Sequence, residues 1–245
     1  MAELFISDLH LSAARPHMVD AFLAFLERPG DGVEALFILG DLFDQWLGDD
    51  DETDPHPVVV AALARLAGSG VTVGLLHGNH DFLIGQQFAA QTGCKLLSDP
   101  TLIEVQGTPV LLMHGDTLCT DDIAYQALRA RVRDPVNQSR FLALPLGRRV
   151  AEAASLRTAS QQQVRLKPQT IMDVNANAVE RAMRKHGVRH LIHGHTHRPA
   201  IHSLCIDGQS AARIVLGDWY RQPHVLIWDD DGYRVMETPL QRTPP

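Results

Sequence analysis

A chain of 245 residues, 45% of them hydrophobic, is long enough to bury a core without disulfide support, and it fits one large domain. Its formal charge of −7 excludes a generic nucleic-acid binder, which needs a dense basic surface to release counterions. Three cysteines at no metal-like spacing (Cys94, Cys119 and Cys205) read as reduced thiols of a cytosolic protein, and neither a signal peptide nor an apolar run of membrane-spanning length is visible.

The first predicted strand, Glu3 to Ser7, delivers Asp8 and His10 two residues apart. If extended geometry continues past the strand, both side chains point the same way. Apolar residues at Met18, Val19, Phe22, Leu23 and Leu26 predict an amphipathic helix over Pro16–Glu27. A second strand, Ala35 to Leu39, runs into Gly40-Asp41, and the acidic run Asp49 to Glu52 that follows lacks the calcium-loop pattern and reads as solvated loop. A helix is expected over Pro57–Leu66, then a strand over Val71–Leu76 that leads into Gly78-Asn79-His80-Asp81. Phe82–Gln91 is read as helical, and Thr101–Met113 as a hairpin around Gln106-Gly107 that ends in His114-Gly115-Asp116.

From Thr117 to Pro168 the strand pattern disappears. This stretch carries nine basic against four acidic side chains, +5 in a chain of −7, which suggests a local anionic partner. It is read as a helical insertion, a candidate lid over the sheet edge. Phe141, Leu142, Leu144 and Leu146 are candidates to line an acyl groove or touch a bilayer, with Arg140, Arg148 and Arg149 flanking them. A helix over Asp173–His186 follows, then a strand at His190–Ile192 ending in His193-Gly194-His195-Thr196-His197, and short strands at Ala200–Ile206, Ala212–Leu216, Val225–Trp228 and Arg234–Met236. Strands and helices in alternation, then paired strands, predict an α/β sandwich.

Five strand ends thus carry metal-ligand side chains, and ligands gather at the carboxyl ends of strands in open α/β sheets. Asp8, His10, Asp41, Asn79, His114, His195 and His197 are too many donors for one ion and suit two. Imidazole, carboxylate and amide without thiolate fit manganese, iron or zinc, and the oxygen-rich share leans toward manganese. Asp41, with two carboxylate oxygens, is the natural bridge. A pair of such ions serves hydrolysis of a phosphate ester or anhydride. His17, His56, His186, His190, His202 and His224 are read as surface or core histidines.

The blocks D-x-H, G-D, G-N-H-D, H-G-D and G-H-T-H, in this order, resemble the calcineurin-like metallophosphoesterases. That resemblance implies a four-layer αββα sandwich, with Asp8, His10, Asp41 and His197 on one ion and Asp41, Asn79, His114 and His195 on the other. Further stretches, Trp46 to Asp51, Thr117 to Asp122, Phe141 to Leu146, Ile171 to Asn175 and Ile192 to Pro199, are similar to the branch of that family that cleaves UDP-2,3-diacylglucosamine in lipid A biosynthesis.

This narrower resemblance covers nearly the whole chain. It implies two Mn2+ ions, a UDP-diacylglucosamine lipid substrate, cleavage to UMP and 2,3-diacylglucosamine 1-phosphate by water attack on the α-phosphorus, and peripheral contact with the cytoplasmic face of the inner membrane. The implied substrate contacts fall on Asn79, Asp122, Ser160, Lys167 and His195, with Asn79, His80 and His195 as the catalytic set and Asp81 expected to orient His80. Two positions depart from the branch, His80 where it usually has arginine and Val164 where it often has a polar residue, and they bear on phosphate contact and head-group recognition. The rival expectations are a soluble dimetal phosphodiesterase or nucleotide pyrophosphatase, and a scaffold that keeps the fold without the metals.

Overall fold

Alternation within the short apolar runs sorts their side chains between separate cores. On β1 (Ala2–Ile6), Leu4 and Ile6 face one way and Phe5 the other. On β6 (Thr108–Met113), Leu111 and Met113 diverge from Val110 and Leu112 in the same way. A strand with a two-residue period can therefore bury both faces, and each fully buried Leu, Ile or Phe contributes about 1.5–3 kcal/mol.

The computed structural model describes residues 1–30, 32–166 and 171–237, and the side chains of 159–166 and 237 also lie outside the description. One sheet has the order β11-β10-β1-β2-β3-β4, built from β1, β2 (Val33–Ile38), β3 (Thr72–Leu76), β4 (Lys95–Leu97), β10 (His224–Asp229) and β11 (Gly232–Glu237). The other has the order β5-β6-β7-β9-β8, from β5 (Thr101–Val105), β6, β7 (His190–His193), β8 (Ala200–Ile206) and β9 (Gln209–Val215). Helices α1 (Pro16–Glu27), α2 (His56–Gly68) and α3 (Gln86–Thr92) cover the outer face of the first sheet through Met18, Phe22, Leu63 and Phe88. Phe5, Leu76, Leu112, Ile192 and Ile214 fill the space between the sheets, and α7 (Ala176–His186) covers the second sheet through Val179 and Met183. The expected four layers, helix, sheet, sheet, helix, are present.

β1, β2, β3 and β4 pair in parallel, as do β6, β7 and β9. The carboxyl ends of the strands that carry the candidate ligands therefore gather along shared edges.

Two local expectations change. The helix expected over Phe82–Gln91 begins only at Gln86, because Asp49 takes the free N–H groups at its start, those of Gly85 (2.8 Å), Gln87 and Phe88 (both 3.0 Å). The acidic run read as solvated loop is thereby a structural junction. Asp49 caps α3, Asp50 forms a two-pronged pair with Arg149, and Asp51 is buried against the Thr53 N–H. The three-residue strand β4 had no periodic signal of its own.

Between β6 and α7 lie α4 (Ile123–Val132), α5 (Pro135–Leu142) and α6 (Leu146–Leu166). Asp122 and Asp134 cap the first two. Neither α4 nor α5 buries a residue fully; Ile123, Val136, Leu142, Val150 and Leu156 are exposed, whereas Phe141 packs on the helix-side core. Arg149, expected beside an interface, is instead buried on Asp50 and the carbonyls of Leu47 and Leu144. Among the described residues no helix is long and apolar enough to cross a membrane.

Candidate metal centre

Asp8 and His10 meet by a different route from the extended one expected. Their φ angles are +55° and +47°, and Asp41 (+54°), His195 (+68°) and His197 (+53°) share the left-handed region. Such residues cost on the order of 1–3 kcal/mol each and persist where the surroundings overdetermine them. Here adjacent loops hold one another: the Asp8 N–H donates to the Gly40 carbonyl (3.1 Å), His10 to Asp41 (2.9 Å), Leu11 to Leu42 (2.9 Å) and Gly194 to His114 (2.9 Å).

Two glycines permit the approach. A Cβ on Gly78 would collide with the Asp41 carboxylate, and one on Gly194 with that of Asp8. Asp81 is fully buried and accepts the N–H groups of Leu42 (2.7 Å) and Gly78 (2.8 Å). It does not orient His80, as expected from its place in the sequence; that ring donates its Nδ1–H to the Asp44 carbonyl at 2.9 Å, because a carbonyl can only accept.

Three sets of donor atoms, those of Asp8, His10 and His197, of His10, Asp41 and His80, and of Asp8, Asp41 and His114, each lie within 4.8 Å of one another. Asp41 Oδ2 is 3.8 Å from both His10 Nε2 and His114 Nε2. His10 Nε2 is 3.3 Å from His197 Nε2.

The proton inventory tests whether cations fit. His114 donates Nδ1–H to the Leu39 carbonyl (2.8 Å), so a neutral ring aims the lone pair of Nε2 at Asn79 Oδ1, 3.0 Å away. His197 donates Nδ1–H to Asp218 (3.2 Å) and then aims Nε2 at Asp8 Oδ1, 3.3 Å away. With both rings neutral and the Asn79 amide oxygen turned toward His114, each contact would set acceptor against acceptor, and a positive charge between the partners relieves that. Protons or divalent ions meet that demand, and the oxygen and imidazole donors suit the ions.

The ionisation of the centre follows. Burial depresses His114, but the charges of Asp41, Asp116 and Asp8 outweigh it and raise its pKa to about 9. Burial likewise opposes His197, whose hydrogen bonds to Asp218 and Asp8 raise it to about 10. Burial and the His80 charge push His10 down to about 3, and burial with the His114 charge does the same to His195. Asp41 rises to about 6 through burial, while Asp8 is held below its ordinary value because His197 and the other histidine charges overcome burial.

A description of calcineurin-like phosphoesterases matches residues 3–199. The chain belongs to this family. Relatives similar to it along most of its length include proteins named UDP-2,3-diacylglucosamine hydrolase. The one from Nitrosococcus oceani is 51% identical, with 97% of this chain and 95% of the relative covered. That from Azotobacter vinelandii is 51% identical over 98% and 100%, and that from Stenotrophomonas maltophilia 49% over 95% and 97%. Among solved structures, one described as a novel archaeal phosphodiesterase superposes with a TM-score of 0.50 at 14% identity, covering 97% of this chain and all of the other, a likeness of fold alone.

Among the described residues, the remaining nominated side chains of this calcineurin-like phosphoesterase are His195 and Asp122. His195 enters none of the three close donor sets; its ring lies 5.0 Å from that of His114 and 5.9 Å from that of Tyr125, and its N–H donates to Asp8. Asp122 is buried as the cap of α4 and accepts the Tyr125 N–H at 3.0 Å. Lys167 and the side chains of Ser160 and Val164 lie outside the described residues.

Sequence reasoning missed Asp218, which holds His197, and Tyr220, whose ring stacks on His10 at 5.6 Å. The signal for Asp218 was present. Leu216-Gly217-Asp218 after β9 repeats the pattern of Leu39-Gly40-Asp41 after β2.

Proposed function

We propose that this chain hydrolyses the diphosphate of UDP-2,3-diacylglucosamine to UMP and 2,3-diacylglucosamine 1-phosphate, with two divalent ions, Mn2+ at the working site. The observation that carries the reading is the gathering of Asp8, His10, Asp41, His80, His114 and His197 donor atoms into three overlapping groups, each within 4.8 Å. It occurs in a chain about half identical, over nearly its full length, to relatives named for that substrate.

Asp8, His10, Asp41 and His197 would hold one ion and Asp41, Asn79, His114 and His195 the other. When bound, such a pair supplies Lewis acidity toward phosphoryl oxygens and lowers the pKa of water. Water attack on the α-phosphorus breaks its bond to the bridging oxygen, which leaves with the sugar 1-phosphate. Asn79, His195 and Lys167 donate hydrogen bonds to phosphate oxygens. His80, with Nδ1–H on the Asp44 carbonyl, turns Nε2 toward the centre and would be the residue that hands a proton to the leaving group.

The whole chain acts as one domain with residues 117–168 as its cap. The exposed Ile123, Val136, Leu142, Val150 and Leu156 offer apolar area to acyl chains and to the cytoplasmic face of the inner membrane, and Arg131, Arg140 and Arg148 offer charge to its anionic lipids.

A release assay tests the reading. UMP should appear from the diacylated substrate with Mn2+ and stop with chelator, while deacylated UDP-glucosamine should turn over far more slowly. Equal rates on both would overturn the lipid assignment in favour of a soluble nucleotide pyrophosphatase. Full activity in metal-stripped protein would overturn the metal assignment.

A further inference from the structure

Beside the loop that carries His195 and His197 lies a second cleft, of about 250 Å³, bounded by Asp173, Thr196, Arg198, His202 and Arg213. We propose that it receives the uridine half of the substrate, an inference that rests on the substrate reading above.

The cleft is built from the outer face of the second sheet. Arg213 lies two residues beyond Ala211, on the side that faces α7, and His202 is its register partner on β8. Thr196 stands between the two ligand histidines, so the cleft adjoins the centre through a single loop.

Its lining sets these polar side chains beside apolar Pro199, Ala200 and Val215, and the polar part is incompletely satisfied. Arg198 is paired with Asp173 at 2.6 Å. Arg213 is half-buried and, among the described residues, has no carboxylate within ion-pair distance; its nearest polar partner is His193 Nε2 at 3.4 Å. Thr196 Oγ1 is buried and, among the described residues, has no hydrogen-bond partner. A buried, unsatisfied hydroxyl of this kind costs free energy until a ligand meets it.

Polarity decides which half of the substrate belongs here. A long acyl chain would bury the two guanidinium groups, the imidazole and the carboxylate of this cleft without offering them a hydrogen bond, whereas a flat base can lie on Pro199, Ala200 and Val215 with its polar edge toward them; the exposed apolar side chains of α4–α6 suit the acyl chains. Uracil offers two carbonyl acceptors to the arginines, and Asp173 accepts from a ribose hydroxyl or the base N–H. His193 connects the cleft to the centre: its Nδ1–H donates to the Gly194 carbonyl at 2.9 Å, and its Nε2 faces Arg213. A base held by Arg213 is therefore registered against the loop that carries the ligands.

The test is binding of uridine, UMP and inorganic phosphate to the Mn2+-loaded protein by calorimetry, with steady-state kinetics alongside. Arg213→Gln should weaken uridine and UMP about tenfold and leave inorganic phosphate within about twofold, and KM for the diphosphate substrate should rise more than kcat falls. Arg213→Lys should recover only part of the affinity, because a point charge does not reproduce the guanidinium fork. His202→Ala and Thr196→Val, checked for wild-type melting, are the second variants should Arg213→Gln fold poorly. Unchanged uridine and UMP affinity in folded variants would overturn the cleft assignment while UMP release from the lipid substrate continued. Absence of that release, with uridine binding lost in Arg213→Gln, would overturn the lipid substrate and keep the uridine cleft.

Discussion

Asp44 accepts both terminal nitrogens of Arg157, at 2.8 and 3.1 Å, so α6 of the insertion is fastened to the loop that leaves β2. The same residue takes the Nδ1–H of His80 on its carbonyl and the guanidinium of Arg15 on its carboxylate (2.9 Å). Arg15 reaches on to the His10 carbonyl at 2.8 Å and stacks over Tyr220. One aspartate thus ties the insertion to two histidines of the centre, an outer contact of the kind that orients metal ligands.

Arg157→Gln should lower stability by no more than about 1 kcal/mol, since the side chain is 40% exposed and the pair is screened by solvent. Its effect on kcat/KM with the diacylated substrate should be larger, roughly tenfold, because the insertion and His80 lose a shared anchor. Urea titration beside steady-state kinetics checks this. A variant that lost stability and kept its turnover would reduce the contact to a structural one.

Asp81→Ala should destabilise the fold by about 2–5 kcal/mol, since two buried N–H groups, those of Leu42 and Gly78, lose their acceptor at once. The loops that position Asp41 and Asn79 depend on it, so Mn2+ affinity should fall as well. A urea midpoint indistinguishable from wild type would contradict the role assigned to this carboxylate.

Metal-free protein should lose stability as pH rises. His114 and His197 have folded pKa values of about 9 and about 10, above the ordinary 6.5. Their contribution is therefore complete below pH 6.5 and lost as pH climbs through 9 and 10. Ligand nitrogens must be free of protons to bind metal, so Mn2+ should raise Tm by more at pH 9 than at pH 6.5 and release protons as it binds. Calorimetry in two buffers of different ionisation enthalpy counts those protons. A metal-free Tm that rose between pH 7 and 9.5 would run against the sign.

Ile123→Asp with Val136→Asp should weaken co-sedimentation with anionic vesicles and leave the urea midpoint close to wild type, because both side chains are already exposed, at 77% and 56%. Each would remove roughly 1–2 kcal/mol of apolar transfer to the bilayer. Unchanged sedimentation would place membrane contact elsewhere.

The strand ends and the α/β class were legible in the chain alone, because two-residue alternation and a glycine before an acidic or imidazole side chain are local signals, and the same signals nominated the seven candidate ligands. So was the helical character of the insertion. The residues that hold the centre in shape were less so. Asp81 reads as part of a motif and serves the neighbouring loop; Asp49 to Asp51 read as solvent-facing and cap α3 or receive Arg149.

What the sequence by itself determined is which side chains stand at the ends of which strands, since that depends on pattern and turn chemistry within a few residues. Only the tertiary structure decided that Asp8 and His10 turn through left-handed backbone, that Asp44 links Arg157 to His80, and that His114 and His197 each face an acceptor. Those are contacts between segments as far apart as 189 positions for Asp8 and His197, and they exist only once two sheets have packed and brought their edges together.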